Sequence, residues 1–409
     1  APVFVSAESE TPKREEVGPS PTSEAAGPAV DAAGIPRSES GLAQPSLWRN
    51  PLAWVVGALI VIGMLVIAAT RLAPPREEPV LANSATAIPE GDELRILAGS
   101  SASRYVDKRG YAWMSDRYFT GGDSMRSPAV PIARTRDPEI FRTRREGDFR
   151  YDIPLKPGVY EVRLWFAETV FGPGNIAGGG ESDRLFNVDL NGRRVLTQLD
   201  VLSNAGGSNT ADAVVFKDVS PAPDGQLHLQ FTQFKERPIL SGIEVLPGIP
   251  GRMRPVRMVV GEAPYTDSQG QHWDPDCCVQ GGRTITRPTA VAGTRDPELY
   301  RAERFGNFTY TIPVVPGRYR VTLKFAETWF GPGKPGGGGR DYRMFDVYAN
   351  GVALLKNFDI YEEAGGPDRA LDRTFRGITP NALGKIVLSF VPVKNYACVN
   401  AIEIVDDGG

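Results

Sequence analysis

From Leu94 onward the chain is written twice. Thr135-Arg136-Asp137-Pro138-Glu139 returns as Thr294-Arg295-Asp296-Pro297-Glu298, and Phe166-Ala167-Glu168-Thr169 returns as Phe325-Ala326-Glu327-Thr328. Phe171-Gly172-Pro173-Gly174, Asn191-Gly192 and Ile243-Glu244 recur at the same offset of 159 positions, while Trp113 and Trp273 are 160 apart. A spacing of that size marks a duplicated domain rather than a short solenoid repeat, because each copy is long enough to close its own core. The copies occupy 94–247 and 256–406, joined by the Pro- and Gly-containing segment 247–255. Whatever one copy folds into, the other must also fold into.

Within each copy the hydrophobic period is two. Val162, Leu164 and Phe166 alternate with Arg163, Trp165 and Ala167, and Val321, Leu323 and Phe325 repeat the pattern. Phe186–Leu190 runs into Asn191-Gly192, a pair suited to the two positive φ angles of a type I′ hairpin. Leu227, Leu229 and Phe231 alternate again, and Ile243-Glu244-Val245 closes the copy. Asp137-Pro138-Glu139 predicts a helix start with Asp137 as N-cap, with room for only a turn or two before Gly147. The fold class is all-β: two tandem antiparallel β-sandwich domains.

Upstream, residues 1–47 are dominated by Ala, Pro, Ser, Glu and Gly, with Phe4 as the one aromatic, and are expected to be a disordered low-complexity tail. Leu52–Thr70 runs without a charge. At about 1.5 Å per residue it extends roughly 28 Å, the thickness of a bilayer core. We expect a transmembrane helix over 50–72, with Trp48 and Trp54 at the interface and Arg49 and Arg71 bracketing the run. Residues 73–93 form a Pro-rich linker. The short tail and the large following part predict an uncleaved anchor in a bacterial-type inner membrane, N-terminus cytoplasmic and domains periplasmic.

The charge balance is −3, from 46 Lys and Arg against 49 Asp and Glu, which gives no field for nucleic acid. Only His228 and His272 are present, so His-based metal sites and Ser-His-Asp catalysis are disfavoured. The loops 171–180 and 330–339 are Gly-rich but carry no Gly-Lys-Ser/Thr and lead into a strand, so they do not read as phosphate cradles. Glu168 and Glu327 are expected to bond loop backbone rather than to catalyse, and Asp274 and Asp276 to lie in a solvated loop. Cys277-Cys278 could close a vicinal disulfide, or one of them could bridge to Cys398. No set of nucleophile, base and oxyanion donors is visible, so the chain reads as a non-enzyme with no cofactor and no metal.

The order of Gly-x-x-aromatic, Asp-Pro-Glu, Phe-Ala-Glu-Thr, a loop, Phe-x-Val-x-x-Asn-Gly and a closing Ile-Glu resembles the malectin and malectin-like domain family in both copies. The resemblance implies a lectin-type β-sandwich without catalytic activity, whose ligand contacts are loop aromatics and a late acidic residue, best known for glucose-containing oligosaccharides. Carried onto this chain, the pair after Phe-Ala-Glu is Trp329-Phe330 in copy two and Val170-Phe171 in copy one. The early aromatics are Trp113 and Trp273, and the late acidic position falls on Glu236 and Asn395. A working sugar site is expected in copy two, while copy one looks degraded. Two functions follow. The first is an accessory or scaffold subunit of a larger membrane complex, including an energy-transducing one, respiratory or photosynthetic, with the lipid bilayer and the other subunits as partners. The second is a membrane-tethered lectin that reads envelope glycan mainly through copy two.

Overall fold

The computed structural model describes residues 93–407. The tail 1–47, the span 50–72 and the linker up to residue 92 lie outside the described residues. Among the described residues no helix is long and apolar enough to cross a membrane.

Each copy is two facing sheets. In copy one, Gly242–Pro247 lies between Leu94–Leu97 and Tyr160–Phe166, and Asp212–Val219 forms the far edge. The facing sheet runs Ile239–Leu240, Thr143–Pro154, Gln226–Lys235, Leu185–Leu190, Arg193–Leu199, with Phe119–Arg126 also on Thr143–Pro154. Copy two repeats the order. Ala401–Asp406 lies between Val256–Val259 and Tyr319–Phe325, and opposite them Val279–Thr286, Ala302–Pro313, Lys385–Lys394, Met344–Ala349 and Val352–Phe358 follow in register.

The sheets are not wholly antiparallel. Ile96 pairs in parallel with Met114, and Met258 with Asp274. The cause is the small hairpin Arg104–Val106/Ala112–Met114, and Tyr265–Thr266/His272–Pro275 in copy two, which reverses the chain once before its second strand docks beside the first.

The alternating positions pack between the sheets. Val162, Leu164 and Phe166 are buried in copy one, as are Val321, Leu323 and Phe325 in copy two. Phe149 stacks on Phe231 at 4.5 Å, and 159 positions on Phe308 stacks on Phe390 at 4.6 Å. Each such ring contributes about 1.5–3 kcal/mol by leaving water. The hairpin turns form as expected, with φ of 49° and 77° at Asn191 and Gly192 and 47° and 81° at Asn350 and Gly351.

Asp137 holds the N-cap position with Pro138 after it, but its side chain does not cap the turn. Pro138–Phe141 is one 3-10 turn with no side-chain cap, and Asp137 Oδ1 instead accepts from Tyr105 Oη–H and Lys108 N–H, both at 2.8 Å. Asp296 does the same with Tyr265 at 3.0 Å and Ser268 at 2.6 Å. A single turn offers little to cap, so the carboxylate ties down the neighbouring hairpin.

The copies touch through buried polar contacts. Lys385 Nζ pairs with Asp212 and donates to the Ala213 carbonyl at 2.7 Å, and in the joining segment the half-buried Arg254 amide donates to Glu161 of copy one at 2.7 Å. Val215 of copy one joins the apolar core of copy two beside Met253.

Candidate functional site

Glu327 follows the last core residue of Tyr319–Phe325 and is fully buried. Its Oε1 accepts the amides of Trp329 and Phe330, each at 2.9 Å, and its Oε2 accepts from Arg343 Nε at 2.6 Å. The carboxylate thus sets two aromatic residues at a fixed height, the backbone-bonding role the sequence suggested. Trp329 is 36% exposed while Phe330 is buried against Tyr342, ring centres 5.9 Å apart. Tyr342 is 43% exposed. Asn395 donates from Nδ2 to the Tyr342 carbonyl, and Tyr396 beside it is 55% exposed and meets Phe305 edge-on at 5.7 Å.

Cations lie along the same rings. Arg287 sits 5.0 Å from Trp329, Arg343 5.2 Å from Phe330, and Lys394 5.3 Å from Tyr342. Buried Glu303 pairs with Arg287 at 2.9 Å and approaches Arg343 at 3.6 Å. The Gly-rich loop has a role that sequence reasoning missed. A Cβ at Gly336 would meet the Trp329 indole at 2.6 Å, and one at Gly338 would meet the Tyr342 ring at 2.2 Å. Both rings occupy space that only a glycine leaves open.

Copy one keeps the scaffold and loses the face. Glu168 accepts from the Val170 amide at 2.8 Å, the Phe171 amide at 3.1 Å and Arg184 Nε at 2.7 Å. The position of Trp329 is Val170, and that of Tyr342 is Asp183, which pairs with Lys235 at 3.0 Å. Phe171 remains half-buried under Arg184, and Glu236 is exposed in the same left-handed conformation as Asn395.

The structure therefore brings together Trp329, Phe330 and Asn395 and adds Tyr342. It does not bring Trp113 or Trp273 into such a face. Both are buried, bonding Asp107 at 3.1 Å and Asp267 at 2.9 Å through Nε1, because these indoles plug the second small core of each copy. Tyr342 carried a signal in the sequence only as an aromatic three residues before Phe345.

The cysteines form no bridge. Cys277 and Cys278 are half-buried thiols with Sγ atoms 2.8 Å apart, and Cys398 is enclosed in the core of copy two, where burial pushes its thiol up. Asp276 is not in a solvated loop. It is buried, accepting from Tyr310 at 2.8 Å and Arg304 at 2.7 Å. Asp341, Asp359 and Glu362 have carboxylate oxygens within 4.8 Å of one another, but Asp359 is occupied as the cap of Ile360–Ala364 and Glu362 pairs with Arg340.

Two sandwiches of one pattern, one carrying an aromatic face on a buried carboxylate–guanidinium scaffold, define a two-domain, malectin-like β-sandwich. The chain belongs to the malectin-domain family, which it matches over residues 93–243 and 257–399. It is 32% identical to malectin-B of Xenopus laevis over 81 residues, 19% of this chain and 27% of that one. It is 29% identical to the kinesin-like protein KIN-14R of Arabidopsis thaliana over 149 residues, 36% of this chain and only 13% of that protein's length. Among solved structures, the plant receptor-like kinase FER aligns with a TM-score of 0.42 and 19% identity, covering 76% of this chain and 95% of that one.

Proposed function

We propose that this chain is a non-catalytic carbohydrate-binding protein whose ligand lies on the aromatic face of copy two. The observation that supports it is the exposed pair Trp329 and Tyr342, fixed by the Glu327–Arg343 network and seated on Gly336 and Gly338. Aromatic faces cover the C–H faces of a sugar ring, and the exposed Asn395 amide and Tyr396 hydroxyl can bond its hydroxyl groups. The ligand class is a glucose-containing oligosaccharide of a cell envelope. The uncharged run Leu52–Thr70 supports a membrane tether; the proposed topology has the tail on the cytoplasmic side of a bacterial-type inner membrane and both domains outside it. Titration calorimetry of the full chain in detergent against a panel of glucans and envelope sugars tests the reading. Binding abolished by Trp329→Ala and untouched by Phe171→Ala is expected, and no binding to any member of the panel refutes it.

A second reading, an accessory or scaffold subunit of a membrane complex, is supported by copy one. It retains a complete fold after losing its aromatic face, and it exposes Phe234 and Ile176. Under that reading gentle detergent extraction recovers stoichiometric partner subunits, and a lone chain counts against it.

A further inference from the structure

The two copies meet along a cleft of about 550 Å³ that sugar binding leaves unused. Arg109, Tyr111 and Trp165 line it from copy one, and His272 and Asp274 from copy two. Cys277 and Cys278 open onto it. The matching positions of copy one, 160 residues earlier, are Arg117 and Tyr118, so the dithiol is confined to copy two. The left-handed backbone at Cys278, φ 59°, is shared by Tyr118, φ 63°, and therefore belongs to the fold rather than to the thiols.

The two sulfurs differ in character. The hydrogen bond from Cys277 lowers the Cys278 thiol against the effect of burial, and Arg109, Lys385 and Arg163 add to the lowering. The same hydrogen bond, followed by burial, pushes Cys277 up. With the sulfurs 2.8 Å apart and either able to donate, the pair shares a proton readily, and Cys278 is the sulfur whose cationic surroundings favour the thiolate. Metal binding fits less well. Two thiolates on one zinc, with bonds of about 2.3 Å, lie about 3.7 Å apart. Here the sulfurs are 2.8 Å apart, and among the described residues neither cysteine belongs to a group of three or more side chains placed to hold an ion.

We propose that Cys277 and Cys278 form a reversible dithiol–disulfide site, worked by exchange with a small disulfide that enters the cleft between the copies. Cys278 Sγ attacks one sulfur of the incoming disulfide. That S–S bond breaks, and its other half leaves as a thiolate that takes a proton. Cys277, having lost its own proton, then displaces the second thiol and closes the Cys277–Cys278 bond. Two protein thiols are oxidised to one disulfide, and the incoming disulfide is reduced to two thiols. Adjacent Cα atoms lie about 3.8 Å apart across a trans peptide, short of the roughly 4.4–6.8 Å that disulfides span, so the ring is strained and readily reopened. Such a bond is a labile one rather than a staple. Its closure acts on the junction of the copies. The next residue toward the N-terminus is Asp276, whose Oδ1 lies 3.5 Å from Arg136 of copy one, and the Cys278 carbonyl accepts the Thr311 amide at 2.7 Å.

The test uses the full chain in detergent, with oxidised glutathione as the small disulfide. Wild type is expected to lose two of its three thiols, counted in denaturant after the reaction is quenched. The peptide carrying 277 and 278 should lose two hydrogens and hold no adduct, and a dithiol reductant should restore both thiols. Cys277→Ser is expected to trap glutathione on Cys278, and Cys278→Ser to react about tenfold more slowly or worse. Persistent glutathione on wild type, no loss of thiols, or equal rates in the two variants overturns the proposal. If either variant fails to fold, the choice in wild type between closed ring and adduct still decides.

Discussion

Removing the Glu327 carboxylate should unseat the aromatic face of copy two. Glu327→Ala deletes the acceptor of two backbone amides at 2.9 Å and the partner of Arg343 at 2.6 Å, all buried. Each amide bond is worth about 1 kcal/mol net. Arg343 would retain Glu303 at 3.6 Å and the Tyr396 carbonyl at 3.3 Å, and breaking a buried ion pair on one side costs roughly 3–5 kcal/mol. Because these contributions overlap, the expected loss is about 4 kcal/mol, a fall in Tm of roughly 8–16 °C for a domain of this size. Thermal unfolding followed by circular dichroism reads the first effect, and calorimetric titration with glucan reads the second. Glu327→Gln keeps one carbonyl acceptor for the amides but sets an NH2 against Arg343, and should fall about midway. Glu168→Ala removes the same network from copy one, so it should lower stability comparably and leave sugar affinity unchanged. A loss below about 1 kcal/mol for Glu327→Ala, or equal effects of the two alanine variants on sugar affinity, would refute the reasoning.

Glu244, fully buried in copy one, is pushed up by burial, but Arg109, Arg163 and Arg95 outweigh this and hold it down from 4.5 to about 2. A folded value below the unfolded one means its contribution, about 3 kcal/mol, is complete above about pH 4.5 and is lost as pH falls toward 2. Urea unfolding at stepped pH should show that decline, and Glu244→Gln should flatten it. Gly336→Ala, whose Cβ would meet the Trp329 indole at 2.6 Å, should weaken glucan binding about tenfold with a small change in Tm. Lys385→Met strands Asp212 at the junction of the copies and should cost about 3–5 kcal/mol, a loss that adding Asp212→Leu should largely restore in thermal scans. Phe308→Ala, opposite Phe390, should cost about 3–5 kcal/mol by denaturant titration.

Much of the fold was legible because it rests on local rules. Period two placed Val162, Leu164 and Phe166 inward, and Asn191-Gly192 specified its hairpin without reference to anything distant. The errors fell where the answer depends on three-dimensional neighbours. Trp113 and Trp273 look like ligand aromatics until Ile140 and Phe141, or Leu299 and Tyr300, close over them. Asp137 looks like a cap until Tyr105 arrives from another strand to bond it. Tyr342 was passed over because nothing in its immediate sequence shows that its ring rests on Gly338. The parallel pairing of Ile96 with Met114 depends on how a hairpin docks, which no periodicity encodes.

The junction also has a consequence for colloidal behaviour. Asp212–Val219 is the last strand of its sheet; on its outer side Lys385 takes the Ala213 carbonyl, and Val215 packs into the core that holds Met253. Cutting the chain between the copies would bare Val215 and that ribbon of backbone together. A severed copy one should then add strands from its own kind and come out of solution as aggregate, its sister domain having served as its chaperone.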